Sequence, residues 1–530
     1  VVDELFFLRT DEVPPSDALK VLVMSPTERK VVDKLKNRMP IVLSASRGVG
    51  KTILLRKAED ELAKSLATDR VLPVFVKFRD SPLIAAKQGD AFLVWMIAKI
   101  RDEIARAATT YGLIAPDNSV IRAIRGQNSP GSTMEELETK LTTAYRRKSG
   151  GEEAVESLDP DDVHYLVERL CAQASIRRIV LLVDEAIHAF QPNQQRQFFT
   201  LMRNLSGPYI TIKAAVYPGI STFGESFHPN HDATFIGLDR DILDKGYLEA
   251  MRSIVLAKDS GLRRAIEDNS AVFDTLAYAA TGNPRILVKT ISENRRLRRN
   301  ALPDTLRQQY QEAILSEHTD LADKYDGHAA LIHWGRSFIE DHVLRRIYQR
   351  NNTRKEATSH IWIHKDAPAT VHRALQLLCF SGVLRQEDKN TRGPGKGIGT
   401  RYLVNLGCHL VLDDDPIEYC EQVTSKLNRR AAIDFPADEE KFDEIRDHDL
   451  GTIDQGDANA ALRARLNSRA TRLDLTDFQR KTIAELDLQT IGDVLLAEES
   501  TFRTVRGVGP VYARRIHNAA QAAVLEYLSG

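Results

Sequence analysis

The chain has 530 residues, 42% hydrophobic and 28% charged, with a formal net charge of −1. This is a globular composition with room for two to four domains, and its charge excludes a protein that coats nucleic acid through overall basicity, leaving only local patches for such contact. The lack of an apolar run near the ~20 residues of a membrane span, of a leader-like start, and of any CxxC spacing among Cys171, Cys379, Cys408 and Cys420 predicts a cytoplasmic protein with reduced thiols, no membrane contact, and neither a disulfide framework nor a cysteine metal site.

"PIVLSAS", from Pro40, is an apolar run suited to one buried parallel strand. "GKTILLRKAEDELAKSLA" follows, with Ile53, Leu54, Leu55, Ala58, Leu62 and Leu66 at helical spacing. Between them stand Ala45, Ser46, Arg47, Gly48, Val49, Gly50, Lys51 and Thr52, which match [AG]-x-x-x-x-G-K-[ST] with alanine where glycine is commoner. In such a loop, glycines let backbone N–H groups curl around phosphates, the lysine neutralises β/γ oxygens and the threonine holds Mg²⁺. A chance match is the alternative, and the flanking strand and helix argue against it. The loop therefore predicts ATP and Mg²⁺ as ligands.

"VLPVFVKF" is the next predicted strand, followed by an amphipathic helix around Phe92 to Ile104. An insertion at about 112–160 then breaks the rhythm. Within it, "STMEELETKLTTAYRR" carries a capping box (Ser132, Glu135) and a helical pattern. "RRIVLLVDEAIHAF" follows as a continuous apolar strand, Ile179 to Val183, that ends in Asp184 and Glu185. Asp184 is placed to complete the Mg²⁺ shell and Glu185 to orient or activate the attacking water. A strand-to-helix cap is the alternative for such a pair, but the upstream loop favours chemistry. "YITIKAAVYPG" and "ATFIGL" supply two more strands, so the expectation is an α/β fold with helices on both faces of a parallel sheet. This core spans 1–240. An all-helical stretch, 241–324, contains "TGNPRILVKTISENRRLRRN". Asn283 suits a cap and Pro284 a first helical position. Arg285 then stands where it can swing onto a γ-phosphate, unless it is simply a solvated arginine at a Pro-capped start.

The loop, the strand-end Asp-Glu, a fourth strand ending in a polar residue and a helical lid opening with GNPR resemble the AAA+/STAND branch of P-loop ATPases. The likeness is greatest to the origin-recognition-type initiators and covers about residues 25–410. It implies an ATPase that is slow and stimulated by a partner or by DNA, and that works as a homo-oligomer or with an effector protein. It makes Tyr217 the first γ-phosphate sensor, where asparagine, threonine or arginine is commoner, and Arg285 the second. Ring-forming relatives place an arginine finger between strands four and five, but Pro218 to Asp239 holds no lysine or arginine. Arg203 and Arg240 are the nearest substitutes. That departure favours an ATP-gated switch over a motor ring.

Residues 325–410 resemble a winged helix: "HIWIHK", the helix in "APATVHRALQLLCFSGVLR", and two strands around a glycine-rich loop. The loop carries Lys389, Arg392, Lys396 and Arg401 and no acid, which suits a phosphate backbone or minor groove. Packing of the domain against the ATPase is the other use of such a unit. Residues 411–470 turn acidic and read as a linker with some helix. In 471–530, "LDLQTIGDVLLAEESTF" and "VRGVGPVYARRIHNAAQAAV" resemble a helix-hairpin-helix. Gly507 and Gly509 allow a tight turn with exposed N–H groups, ringed by Arg503, Arg506, Arg514 and Arg515. The segment nevertheless holds seven lysines and arginines against eight acids. Two readings follow. The chain is a DNA-associated ATPase switch, or a STAND-like signalling or scaffold ATPase of a bacterial defence or mobile-element system whose appendages bind protein.

Overall fold

The computed structural model describes residues 15–78, 91–126, 159–186, 192–218, 223, 227–324, 328–388, 391–393, 397–448, 466–473, 475–509, 512–513, 515–517 and 519–520. The capping box of the insertion, Ser132 and Glu135, lies outside them.

Five strands form the first sheet: β1 (Ile41–Ser44), β2 (Val71–Lys77), β3 (Arg178–Asp184), β4 (Ile210–Val216) and β5 (Thr234–Gly237), in the order β2-β3-β4-β1-β5. Every pairing is parallel. A parallel sheet needs cover on both faces, and the strands supply it by alternation. Val42, Ile179, Leu181 and Val183 face a layer that includes the helices Ala91–Thr110, Pro160–Ala174 and Pro192–Leu205. Ile41, Leu43, Val180 and Leu182 face the helices Pro26–Leu35 and Lys51–Lys64. The fold class is α/β, as the strand-helix rhythm predicts. All strands run the same way, so the loop after β1, the acids ending β3 and the residue after β4 gather at one edge, where open α/β sheets bind ligands.

A helical stretch follows β5. The helix Ser270–Ala279 leads through Thr281 and Gly282, both at positive φ, into Pro284–Glu293. A second sheet then forms from β6 (His360–His364), β7 (Leu384–Gln386), β8 (Thr391–Arg392), β9 (Ile398–Val404) and β10 (Ile433–Phe435). β9 pairs antiparallel with β6, β7 and β8. The helix Ala369–Ser381 packs beside it and stops at Gly382, φ +82°. A single hydrophobic cluster runs through the helical stretch and this sheet, from Met251 and Phe273 to Ile361 and Leu403. The approach is close: a Cβ on Gly407 would lie 2.4 Å from the ring of the fully buried Tyr310.

The acidic stretch after Asp413 is not a linker over its described part. The helix Pro416–Lys426 is capped by Asp415, and β10 pairs parallel with β6. Phe435 and Phe442 sink completely into the shared core and touch Phe338. Surface acids mask two aromatic anchors here, and the segment reads as solvated until those anchors are counted. Residues 466–520 then close on a core of their own, Leu473, Ile483, Ile491, Val494, Phe502, Val508 and Ile516 among them.

Candidate functional site

The loop after β1 is shaped by two glycines in the left-handed region, Gly48 at φ +85° and Gly50 at φ +112°. Gly50 caps the helix that opens with Lys51. Lys51 is buried, and its Nζ donates to the carbonyls of Ala45 (2.6 Å) and Ser46 (3.0 Å). The ammonium also lies 4.3 Å from the centroid of the Tyr217 ring. Burial pulls its pKa down to about 8, against the opposing pull of Asp184, Asp239 and Glu185. Beside it, the Thr52 hydroxyl donates to Asp184 Oδ2 at 2.8 Å. Burial raises the pKa of Asp184, and the Thr52 bond and Lys51 oppose that rise. Threonine and aspartate are hard oxygen donors, as Mg²⁺ requires, and Mg²⁺ takes one or two such protein ligands while phosphate and water fill the rest. Among the described residues no larger His/Cys/Asp/Glu cluster could hold a metal.

Glu185 leaves the strand in a left-handed conformation, φ 52°, which is uncommon for a residue with a side chain and turns the chain sharply after β3. Its Oε1 accepts from the Tyr217 hydroxyl at 3.3 Å. The five-stranded parallel sheet, the loop on β1 and the acids on β3, with β4 between them, decide the fold. It is that of a P-loop NTPase.

No family model and no curated protein matches the chain. Among solved structures it is similar to the ORC2 protein of Aeropyrum pernix in ADPNP-ADP complexes, at 11% identity and a TM-score of 0.33, over 79% of this chain and 98% of that one. It is also similar to the ORC1 protein of the same organism in complex with DNA, at 14% identity and a TM-score of 0.30, over 76% and 95%. TM-scores this low carry no argument for activity.

The helical stretch after β5 meets the loop through one asparagine. Asn283 Oδ1 caps its helix by accepting from the N–H groups of Arg285 and Ile286, while its Nδ2 donates to Arg47 O at 2.8 Å. Arg285 lies directly over Gly48, where an added Cβ would stand 2.6 Å from Arg285 Cβ. Arg240 braces the other side, donating to Val49 O at 3.3 Å and pairing with Glu28. Glu28 is itself the capping-box acid of the helix Pro26–Leu35. Arg203, the other nearby arginine, stands 3.9 Å from Asp232.

The next wall comes from an element that carries no local signal for it. Arg385, on β7 of the second sheet, donates to Arg240 O at 3.0 Å and to Glu387 Oε1 at 2.8 Å. Glu387 also meets His360 at 2.9 Å. Burial raises the pKa of Asp239, and Arg385 and Lys51 oppose it. Phe380 sets its ring edge-on to Tyr217, centroids 5.8 Å apart. Thr281 and Asn405 join the lid to the same sheet. A small pocket between these parts is lined by Ser46, Asp239, Asn283, Arg385 and Asn405. An arginine 92 positions past the end of the helix Pro284–Glu293 carries no local sign of facing the loop after β1.

The other sequence candidates are scattered. Arg392 is exposed on β8, and Lys389 and Lys396 lie outside the described residues. Arg401 is mostly covered and 3.9 Å from Asp388. The glycines of this hairpin lie on Trp362: a Cβ at Gly393 or Gly399 would come within 2.7 Å of the indole. Arg503, Arg506 and Arg515 are exposed around a turn in which Gly507 has φ +90°, and Arg514 lies outside the described residues. Ser359 Oγ sits 3.0 Å from His409 Nε2, but both are completely buried and burial holds the histidine down to about 3, so the pair fastens the core and is no nucleophile. Among the described residues no helix is long and apolar enough to cross a membrane.

Proposed function

We propose that the chain is an ATP-binding and ATP-hydrolysing AAA+/STAND-like switch that works on DNA. The observation that carries the reading is convergence. Lys51, Thr52, Asp184, Glu185 and Tyr217 meet at one edge of the sheet, and Asn283, Arg285 and Arg385 reach the same loop from the lid and the second sheet. Residues Ala45 to Gly50 cradle the phosphates with their N–H groups, and Lys51 balances the β/γ charge. Thr52 and Asp184 hold Mg²⁺, whose chemistry is to neutralise charge on the transferring phosphoryl group. Glu185 orients the water, and its bond to Tyr217 fixes the carboxylate and makes Tyr217 a reporter of what occupies the site. Arg285 lies over Gly48, positioned to meet a γ-phosphate.

The second sheet with its flanking helix is read as a winged helix, and residues 471–530 as a helix-hairpin-helix. DNA contact is assigned to the exposed Arg392 and to the turn at Gly507 and Gly509 with its arginines. The alternative, a signalling ATPase with protein-binding appendages, draws on the covered Arg401 and on the glycine hairpin seated on Trp362.

The test is turnover. The parent should hydrolyse ATP slowly and faster with DNA. Glu185→Gln should retain ATP and release phosphate at least about tenfold more slowly, because the water loses its positioning group while the cradle stays. Turnover at the parent rate in Glu185→Gln removes the catalytic assignment, and stimulation by no form of DNA transfers the appendages to the alternative.

A further inference from the structure

Among its described residues the C-terminal unit hides most apolar side chains but leaves two aromatic rings open. Phe478 is 44% exposed and Tyr512 is 42% exposed. The rings meet edge to face with centroids 5.9 Å apart. Phe478 stands in the first turn of the helix Asp477–Glu485, and Tyr512 in the helical residues that follow the glycine turn. The pair abuts that turn: a Cβ on Gly507 would lie 3.4 Å from Phe478 Cζ. A larger residue at 507 would therefore meet both an unfavourable φ and the ring. Arg506 precedes this glycine, and Arg515 lies three positions beyond Tyr512; both are exposed.

We propose that Phe478 and Tyr512 form a stacking platform for unpaired bases, so that the ligand of this unit is single-stranded DNA, or DNA with a single-stranded portion, rather than continuous duplex. The proposal rests on the reading that the turn contacts DNA, and it names the form of that DNA. In a duplex the base faces are covered by their neighbours and only edges show in the grooves. Rings standing beside a phosphate-binding turn can be used only where bases are unstacked. Charge points the same way. With seven basic residues against eight acids in 471–530, counterion release comes only from the few arginines at the turn, whereas stacking is apolar and survives salt. The flanking arginines complement the phosphates on either side of the stacked base and add their own planar faces.

The experiment measures anisotropy of a labelled oligothymidine and of a blunt duplex of equal length, with the full chain, at two salt concentrations. The parent should bind the single strand more tightly and keep more of that affinity at high salt. Phe478→Ala with Tyr512→Ala should weaken single-strand binding by about tenfold or more and leave duplex binding within about twofold of the parent. Phe478→Trp with Tyr512→Phe should restore single-strand binding, which separates stacking from a folding defect. Arg503→Glu with Arg506→Glu should weaken both ligands. Parent-like single-strand binding by the double alanine variant, together with loss of both ligands in the arginine variant, overturns the platform and leaves the turn. If the parent binds neither ligand, the reading of the turn falls and the platform falls with it. A protein that binds the parent but not the double alanine variant, with DNA affinity unchanged, reassigns the rings to a protein interface.

Discussion

Lys51 is a buried cation at the heart of the candidate site. Burial sets its pKa near 8, while its partners in the loop are neutral carbonyls. A nucleotide's phosphates at that position would raise the pKa well above 8, since an opposite charge at contact favours the ammonium. Below pH 8 the lysine is already charged and binding takes up no proton. Above pH 8 binding requires protonation, so ATP affinity should fall by up to about tenfold per pH unit. Calorimetry at pH 9 in two buffers of different ionisation enthalpy should show uptake of about one proton, absent at pH 7. Equal heats in both buffers at pH 9 would falsify this account of the loop. Lys213 gives a second pH effect, on stability. It is fully buried on β4, donates to Lys34 O and Met39 O, and is pulled down from 10.5 to about 7 by burial and then by Arg178. Its folded pKa lies below the unfolded one, so between pH 7 and 10.5 the unfolded chain binds more protons and stability rises with pH. The rise should amount to a few kcal/mol. Urea midpoints should climb across that window in the parent and stay flatter in Lys213→Met; parallel curves would place the effect elsewhere.

At the scale of elements, the β7 contact is the informative one. Arg385→Ala removes the bonds to Arg240 O and Glu387 and leaves the buried Asp239 without its strongest counter-charge. Release of a fluorescent ATP analogue should accelerate by about three- to tenfold, in keeping with the loss of one or two charge-assisted bonds. A release rate equal to the parent's would mean that the second sheet does not govern the loop. Legibility in the sequence followed locality. The strands at Ile41, Val71, Arg178, Ile210 and Thr234 and the cap at Asn283 were readable because periodicity and capping are local signals. Tyr217 was read as a polar strand-end residue, but its ring under Lys51 and its bond to Glu185 depend on the β1–β4 register. The covering arginine on β7 comes from an element with no local mark of the candidate site. The stretch around Phe435 reads as a linker because acids dominate its composition, while two buried rings decide its packing. The left-handed turn at Glu185 had no signal at all, since glutamate is not a residue that announces positive φ.

Across the whole molecule the chain divides less evenly than its composition implies. Lid and second sheet share one core, with Tyr310 pressed against Gly407, so they cannot separate without exposing that core. The unit at 466–520 has its own cluster. Removing residues 449–530 should therefore leave ATP turnover and the main melting transition intact and abolish single-strand DNA binding. A lowered main transition in calorimetry would show that this unit supports the rest of the fold. The glycine hairpin has a last consequence, an optical one. The chain has three tryptophans; Trp95 and Trp334 belong to interior clusters, whereas the indole of Trp362 is roofed by the backbone at Gly393 and Gly399 and donates to Thr391 O at 3.3 Å. If the hairpin lifts to reach a phosphate backbone, that indole trades a peptide roof for water and its emission shifts to the red. Trp362 would then serve as a built-in fluorophore beneath this hairpin, reporting engagement in real time without any label.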